Sequence, residues 1–435
     1  MNFFSNTNPV RLAAAILGLT VTSFAEPVSF KNDIAPILLE KCQSCHGPKK
    51  QKGKYRLDSY EQAMKTEAGE LHFRVSTDDE DERMPPETDP LKPDQIALFK
   101  RWMDEGAKYD AEDPKASLAS ITPGITHPEA PKTYARAIPI TALSFSHDGQ
   151  HLRVSGYREI TVWHIKEKRL QRRIGNLPER IHSIDLHVDG NSIAIAGGNP
   201  GRLGEVRILE SDSGALIQTL HKSEDLCFSA RFSPDGQHLA TGGADGTVRV
   251  FKTADWSTEV IFSNHSDWVN QITWHSDGSK IGSASRDHTA KVFDLAAKKR
   301  LTSYTGHNAS IYAILFHPTD ANEVFSAAAD GKLMRWRIND GGTVREYLGL
   351  NAAMFQLAKI DPLEQLALAA SDPHIHQIDW NDPGKRSSLA AGIADQLSIA
   401  VSQDGNWLAA GDRVGKVRVW NTATRELCAE FTARP

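Results

Sequence analysis

Apolar residues in the N-terminal quarter of the chain recur with the period of an α-helix. Before residue 42, four of them fall at i, i+4, i+7 and i+8 and therefore share one helical face; they are Phe30, Ile34, Ile37 and Leu38. A second amphipathic helix is predicted after Pro93, a residue favoured at the first helical position; its apolar residues are Ile96, Leu98, Phe99, Trp102 and Met103. Residues 26–110 are therefore predicted to form a small all-α domain.

From residue 137 onward the pattern changes to short strands separated by turns. A turn of the type Ser/His-x-Asp-Gly, degenerate in two cases, follows a strand and recurs every 41 to 46 residues; the seven turns begin at Ser146, His187, Ser233, His275, His317, Ile360 and Ser402. This period is typical of one four-stranded propeller blade per repeat. Residues 137–435 are therefore predicted to form an all-β seven-bladed propeller. The pattern leaves open how the ring closes, and residues 132–137 are a candidate extra strand.

Two segments lie outside these predicted domains. Residues 12–25 are a short apolar run that follows a basic residue and ends in Ser-Phe-Ala, a pattern typical of a cleaved signal peptide. The run is too short to span a bilayer comfortably, so residues 1–25 predict export to the periplasm and no membrane span after cleavage. Residues 111–136 lose their periodicity and accumulate prolines, which predicts a linker.

The composition resembles that of an ordinary soluble protein, with a formal charge of −5 and 8% aromatic residues, and it does not predict nucleic-acid binding. The chain has four cysteines. Two of them, Cys227 and Cys428, are isolated in strand-like apolar runs, where a buried thiol is favoured over a disulfide.

The other two cysteines belong to Cys42-Gln43-Ser44-Cys45-His46, the pentapeptide C-x-x-C-H that attaches a c-type haem. In this chemistry two thiols add to the two vinyl groups of one porphyrin, and the adjacent histidine, here His46, binds the iron as proximal ligand. A zinc knuckle and a thioredoxin-like redox pair are the rival interpretations. Zinc requires two further ligands at a matching spacing, and a redox pair does not normally carry this histidine.

The loop between the two predicted helices is expected to supply the sixth iron ligand. We favour Met84, because Pro85 and Pro86 hold the backbone extended and stiff beside it. His72 as the sixth ligand and an open iron site are the alternatives, while Met64 is predicted to lie in the core. A Met/His iron favours outer-sphere electron transfer at a raised potential, whereas an open iron can bind or activate a small ligand.

Five segments resemble, in order and spacing, the planctomycete-type cytochrome c domain over about one fifth of the chain: Phe30 to Leu38, Cys42 to Pro48, Arg56-Leu57-Asp58, Arg83 to Pro86 and Trp102 to Ala107. The resemblance implies a class I-like cytochrome c fold with one covalently attached haem c. It also implies that Cys42 and Cys45 hold the haem, that His46 is the proximal ligand and that Met84 is the distal ligand. A glycine-rich stretch expected after Arg-Leu-Asp is shortened here, and Arg56 is a weaker candidate for pairing with a haem propionate.

The repeats resemble the WD40 family over about 300 residues. The match is clearest at His265 with Asp287 in the fourth repeat and at His307 with Asp330 and Trp336 in the fifth. In that family such side chains form a buried hydrogen-bond network within a blade. These residues are therefore expected to be structural.

These observations predict an exported electron carrier whose haem exchanges electrons with a redox partner protein recruited by the propeller. No catalytic residue is identified, because no nucleophile-base pair or phosphate loop stands out, and an enzyme with its own substrate is not favoured. Two alternatives remain open. One is a protein-interaction scaffold, with partners on the propeller faces and a structural or sensory haem; the other is a haem enzyme with an open sixth iron site.

Overall fold

The computed structural model describes residues 27–47, 51–65, 68–79, 81–85, 90–122, 126–347, 350 and 352–434. The signal peptide predicted for residues 1–25 lies outside these ranges. Within the described part of the chain, no helix is both long enough and apolar enough to cross a membrane.

The N-terminal part is a small helical unit. It begins with a π-helical turn, Phe30–Ile34, which is capped because the Ser29 hydroxyl accepts a hydrogen bond from the Asn32 amide (2.9 Å). The α-helices that follow are α1 (Ala35–Lys41), α2 (Gln43–His46), α3 (Tyr60–Ala63), α4 (Ala68–Ser76), α5 (Pro93–Asp104) and α6 (Leu118–Ile121). A 3-10 turn, Lys52–Lys54, follows α2. The helix predicted after Pro93 is confirmed as α5, whereas the class I-like cytochrome c fold stays a prediction.

Apolar side chains from the π-helical turn, α1 and α5 form the core of this helical unit. Phe30, Ile34, Leu38, Phe99 and Trp102 are each at most 1% exposed. The rings of Phe30 and Trp102 lie 5.4 Å apart. Burial of each such side chain contributes about 1.5–3 kcal/mol to stability. The packing of the two predicted helices against each other therefore holds the unit together.

The C-terminal part is a propeller of seven four-stranded antiparallel sheets, each built from consecutive strands, so the predicted seven blades are confirmed. Blades 1 to 4 comprise β1 (Leu143–Phe145), β2 (His151–Ser155), β3 (Ile160–His164) and β4 (Arg169–Ile174); β5 (Arg180–Leu186), β6 (Ser192–Asn199), β7 (Leu203–Glu210) and β8 (Leu216–Ser223); β9 (Cys227–Phe232), β10 (His238–Gly243), β11 (Val248–Lys252) and β12 (Thr258–Phe262); and β13 (Val269–Trp274), β14 (Lys280–Ser285), β15 (Ala290–Asp294) and β16 (Lys299–Tyr304).

Blades 5 to 7 comprise β17 (Ile311–Phe316), β18 (Glu323–Ala328), β19 (Leu333–Arg337) and β20 (Thr343–Tyr347); β21 (Met354–Ile360), β22 (Gln365–Ala370), β23 (His374–Asp379) and β24 (Arg386–Ala390); and β25 (Gln396–Val401), β26 (Trp407–Asp412), β27 (Lys416–Asn421) and β28 (Leu427–Thr432). In every blade the first strand lies innermost and the fourth lies outermost. The seven inner strands line a central cavity of about 860 Å³.

The ring closes by direct packing of blade 1 against blade 7. The Ile140 amide donates to the Asp412 carbonyl (3.1 Å), and the Ser398 hydroxyl donates to the Ile140 carbonyl (2.7 Å). The Trp163 and Phe431 rings stack at 4.5 Å across the same boundary. Residues 132–137 form no strand, so the candidate extra strand is wrong.

The segment predicted as a linker contacts both parts of the protein. On the helical side, the Glu61 amide donates to the Pro114 carbonyl (2.8 Å) and the Leu118 amide donates to the Asp58 carbonyl (2.9 Å). On the propeller side, the Tyr134 hydroxyl donates to the Glu159 carboxylate. The boundaries at residues 110 and 136 stay predictions, and the segment packs as a strap between the two parts.

Candidate functional site

The C-x-x-C-H pentapeptide lies at the junction of α1 and α2. The amides of Cys45 and His46 both donate to the Cys42 carbonyl, at 3.1 and 3.0 Å. This tight helical turn places the two cysteines three residues apart on one side of the helix. Cys42 is buried, Cys45 is half-buried, and neither is in a disulfide. The arrangement therefore leaves two thiols on one side of a helical turn for a shared covalent partner.

The electrostatics of the pentapeptide follow from its burial. Burial raises the pKa of Cys42 to about 12, and the neighbouring Cys45 adds to this shift. Burial also lowers the pKa of His46 from its ordinary value. A neutral imidazole carries a free lone pair, which is the form that binds a metal.

The His46 imidazole is only partly satisfied: it interacts with the backbone at Tyr55 and Lys52, which opposes the effect of burial on its pKa. His46 is buried, and its Nδ1 atom has no hydrogen-bond partner among the described residues. The Leu57 amide donates to the His46 carbonyl (2.7 Å), which holds the backbone in place. The Tyr55 ring lies 6.3 Å from the imidazole, yet Tyr55 is 40% exposed. A flat, largely apolar group bound beside His46 would cover this ring, so these residues fit a haem.

Met84 is half-buried and lies in the loop after α4. The Met84 amide donates to the Arg74 carbonyl (2.7 Å). The pKa of Arg74 is raised by its hydrogen bond with Glu70 and by the negative charges of Glu70 and Glu82. The Met84 backbone is therefore held against the end of α4, and ligation by Met84 stays a prediction. Pro86 lies outside the described residues.

Arg56 is engaged in a two-point ion pair. Its Nε and Nη2 atoms donate to the two carboxylate oxygens of Asp58, at 2.8 and 2.7 Å. This hydrogen bond raises the pKa of Arg56, and the charge of Glu224 in the propeller contributes as well. The ion pair orients Arg56 toward Asp58, while its pairing with a haem propionate stays a prediction.

The helical unit is fixed to blade 2, a contact that the sequence does not reveal. Leu203 of β7 is 4% exposed and belongs to the hydrophobic core of the helical unit. The Lys222 ammonium donates to the Thr122 carbonyl, and His127 of the strap hydrogen-bonds the fully buried Glu205. One signal in the sequence was available for this contact: Glu205 and Arg207 alternate in a largely apolar strand. Because buried charges require partners, this alternation indicates that another part of the chain packs against the strand.

The His-Asp networks expected in blades 4 and 5 are present. His265 Nδ1 lies 2.8 Å from Asp287 and its Nε2 lies 2.7 Å from the Ser283 hydroxyl. In blade 5, His307 makes the equivalent contacts with Asp330 (3.1 Å) and Ser326 (2.8 Å). Both imidazoles are buried within their blades, which agrees with a structural role.

Two family models match the chain. A planctomycete cytochrome C model matches residues 42–88, which include the pentapeptide and Met84. A model of the WD domain, G-beta repeat, matches residues 214–252, 256–294, 298–337 and 391–421. The chain therefore joins a segment that matches planctomycete cytochrome C to a seven-bladed propeller of WD40 repeats, and the fusion predicted from the sequence is confirmed.

Curated relatives are similar at low identity. Cilia- and flagella-associated protein 52 of Mus musculus is 27% identical over 195 residues, which are 44% of this chain and 30% of the relative. WD repeat-containing protein 1 of Gallus gallus is 23% identical over 283 residues, which are 63% of this chain and 46% of the relative. The chain thus spans less than half the length of these relatives. A WD40 propeller indicates a protein-interaction function for this part of the chain.

Proposed function

We propose that this protein is an exported protein-interaction scaffold whose helical unit carries one covalently attached haem c. The observation that carries the scaffold function is the complete ring of seven four-stranded blades with matches to WD40 repeats. Such a ring is a rigid disc that presents loops on two faces, which suits the docking of proteins. The signal peptide predicted for residues 1–25 supports a periplasmic location, where c-type haem attachment takes place.

The haem would be held by residues of the helical unit. Cys42 and Cys45 would form the two thioether bonds, His46 would be the proximal ligand and Met84 the distal ligand. The placement of both cysteines on one helical turn, the His46 Nδ1 atom that lacks a partner among the described residues and the exposed Tyr55 ring support this assignment. When bound, the haem iron supplies one-electron redox chemistry or a site for a small ligand.

Electron transfer to a docked redox partner is the second candidate function. It is favoured by the position of Met84 within the segment that matches planctomycete cytochrome C, because a Met/His ligand pair suits outer-sphere electron transfer. The C-x-x-C-H pentapeptide and Met84 favour this function, but the WD40 matches support the scaffold more directly. In either case the propeller would recruit the partner protein.

The first experiment measures haem attachment in the full chain, expressed in a periplasm with c-type cytochrome maturation. We expect a sharp c-type reduced absorption spectrum that survives a denaturing wash. The Cys42→Ala/Cys45→Ala variant should lose this spectrum, whereas Cys227→Ala, which alters a buried cysteine of the propeller, should retain it. Loss of all haem from the wild type in the wash would refute the haem assignment and leave the scaffold function standing.

Replacing Met84 by Ala tests the distal ligand. We expect loss of the weak Met-to-ferric-iron absorption band and a lower reduction potential, because thioether ligation stabilises the ferrous state. Met64→Ala is the matched control, since Met64 is 37% exposed at the end of α3 and should leave both quantities unchanged. An unchanged band in Met84→Ala would remove Met84 as the ligand.

The scaffold and electron-transfer functions are separated by partner binding with and without haem. Proteins that co-purify with the wild type are quantified and compared with those that co-purify with the Cys42→Ala/Cys45→Ala variant, and haem reduction by those partners is followed optically. Electron transfer predicts that partners stay bound to the variant and that they reduce the wild-type haem. A scaffold with a structural haem predicts that partners are lost from the variant and that none reduces the haem.

A further inference from the structure

Arg153 is a buried arginine of the propeller with no ion-pair partner in the part of the chain that the structure describes. It lies on β2 and is 5% exposed. Other arginines of the propeller with little exposed side chain each lie within ion-pair distance of a carboxylate: Arg207 with Glu205 (3.0 Å), Arg231 with Asp185 (3.4 Å), Arg249 with Asp245 (2.7 Å) and Arg418 with Glu430 (2.7 Å). A buried charge without a counter-charge is costly, so the environment of Arg153 requires an explanation.

A second guanidinium group increases the positive charge at this place. Arg153 Nη2 donates to the Ser211 hydroxyl, and Arg172 Nη2 donates to the Ser211 carbonyl (3.2 Å). Arg153 Nη1 donates to the Phe145 carbonyl (3.2 Å). Ser211 lies in the turn between β7 and β8, so two arginines of blade 1 converge on one serine of blade 2. All of these acceptors are neutral.

Each of the two guanidinium groups also has one nitrogen without a hydrogen-bond partner among the described residues. Among the described residues, Nε of Arg153 and Nε of Arg172 are both buried and have no hydrogen-bond partner. Asp148 and Asp212 are carboxylates that interact with Arg153 through space without forming an ion pair, and Asp148 is engaged by the Ser146 hydroxyl and the Gln150 amide. Burial lowers the pKa of Arg153, and the charge of Arg172 lowers it further.

We propose that the boundary between blades 1 and 2 at Arg153, Arg172 and Ser211 binds a small oxyanion of the phosphate or sulfate class. Such an ion has several acceptor oxygens and matches the forked donors of arginine. Its oxygens would accept from the guanidinium groups and its charge would neutralise the pair. Arg172 is half-buried, so part of its side chain is accessible to an approaching ion. The site is independent of the haem and of protein docking.

Titration calorimetry on the full-length protein tests the proposal, with inorganic phosphate and sulfate as the probes at constant ionic strength set by chloride. We expect saturable binding of one ion per chain. Arg172→Gln should weaken binding about tenfold or more, because a hydrogen bond to a charged group contributes about 1.5–3 kcal/mol. Arg169→Gln is the matched control, since Arg169 lies on the same strand, is exposed and pairs with Glu167; its affinity should stay within about twofold of the wild type.

The test replaces Arg172 and leaves the buried Arg153 in place, so it does not depend on the folding of an Arg153 variant. Binding of either probe that is lost in Arg172→Gln and retained in Arg169→Gln supports the site. Absence of saturable binding to the wild type at millimolar concentrations would overturn it. Equal weakening of binding by Arg172→Gln and Arg169→Gln would also overturn it, because the anion would then respond to the net positive charge of the surface and not to a specific site.

Discussion

The hydrogen-bond network of blade 5 leads to a quantitative prediction about Ser326. Asp330 lies against His307 Nδ1, so that nitrogen carries the proton and Nε2 is an acceptor. The Ser326 hydroxyl therefore donates to His307 Nε2 (2.8 Å) and accepts from Trp336 Nε1 (3.1 Å). Ser326 and Trp336 are fully buried. Replacing Ser326 by Ala would leave two buried polar atoms without partners.

Blade 4 provides an internal comparison for the magnitude. There the Ser283 hydroxyl bonds His265 Nε2 (2.7 Å), and Phe293 occupies the strand position that Trp336 has in blade 5. Each buried polar group that loses its partner costs about 1–3 kcal/mol. Ser283→Ala should therefore lower the free energy of unfolding by about 1–3 kcal/mol. Ser326→Ala should cost about 1–2 kcal/mol more, because the indole N–H is orphaned as well.

Guanidinium unfolding at pH 7.5, followed by circular dichroism, measures both variants and a double-mutant cycle with Trp336→Phe. That substitution removes the indole N–H, so Ser326→Ala should cost less in its background, with a coupling of about 1 kcal/mol or more. Strict additivity in the cycle would refute the hydrogen bond between Trp336 and Ser326. Ser283→Ala is expected to leave one buried polar atom without a partner and Ser326→Ala two. An equal loss of unfolding free energy in the two variants would refute this difference.

Two further predictions concern acid and the contact between the two parts of the protein. Burial lowers the pKa of His265 and of His307, so below about pH 6.5 the unfolded chain binds more protons than the folded one. The free energy of unfolding should then fall as the pH is lowered from 7.5 to 5.5 at constant salt, and a constant or rising value would contradict this. Leu203→Ala should lower the free energy of unfolding of the helical unit by about 2–5 kcal/mol and speed proteolysis within residues 111–136. Leu216 is 42% exposed, so the control variant Leu216→Ala should change the free energy of unfolding by at most about 0.5 kcal/mol. Equal effects of the two variants would contradict the packing of Leu203.

The sequence alone determined the repeating part of the fold. The regular turns define one blade each, because the strand pattern and the turn residues act over a few neighbouring positions. The helix that begins at Pro93 was predictable for the same reason, since its apolar period and its first residue are local signals. The pentapeptide from Cys42 to His46 is also local, so its geometry on one helical turn follows from its spacing.

Only the tertiary structure decided how these parts meet. Leu203 enters the core of the helical unit, and Arg153 and Arg172 converge on Ser211, although the residues in each contact are far apart in the chain. The closure of the ring through Ile140 and blade 7 joins the two ends of the propeller. Such contacts depend on the relative placement of whole blades, and the local periodicity that identifies strands and helices carries no information about which distant side chains that placement brings together.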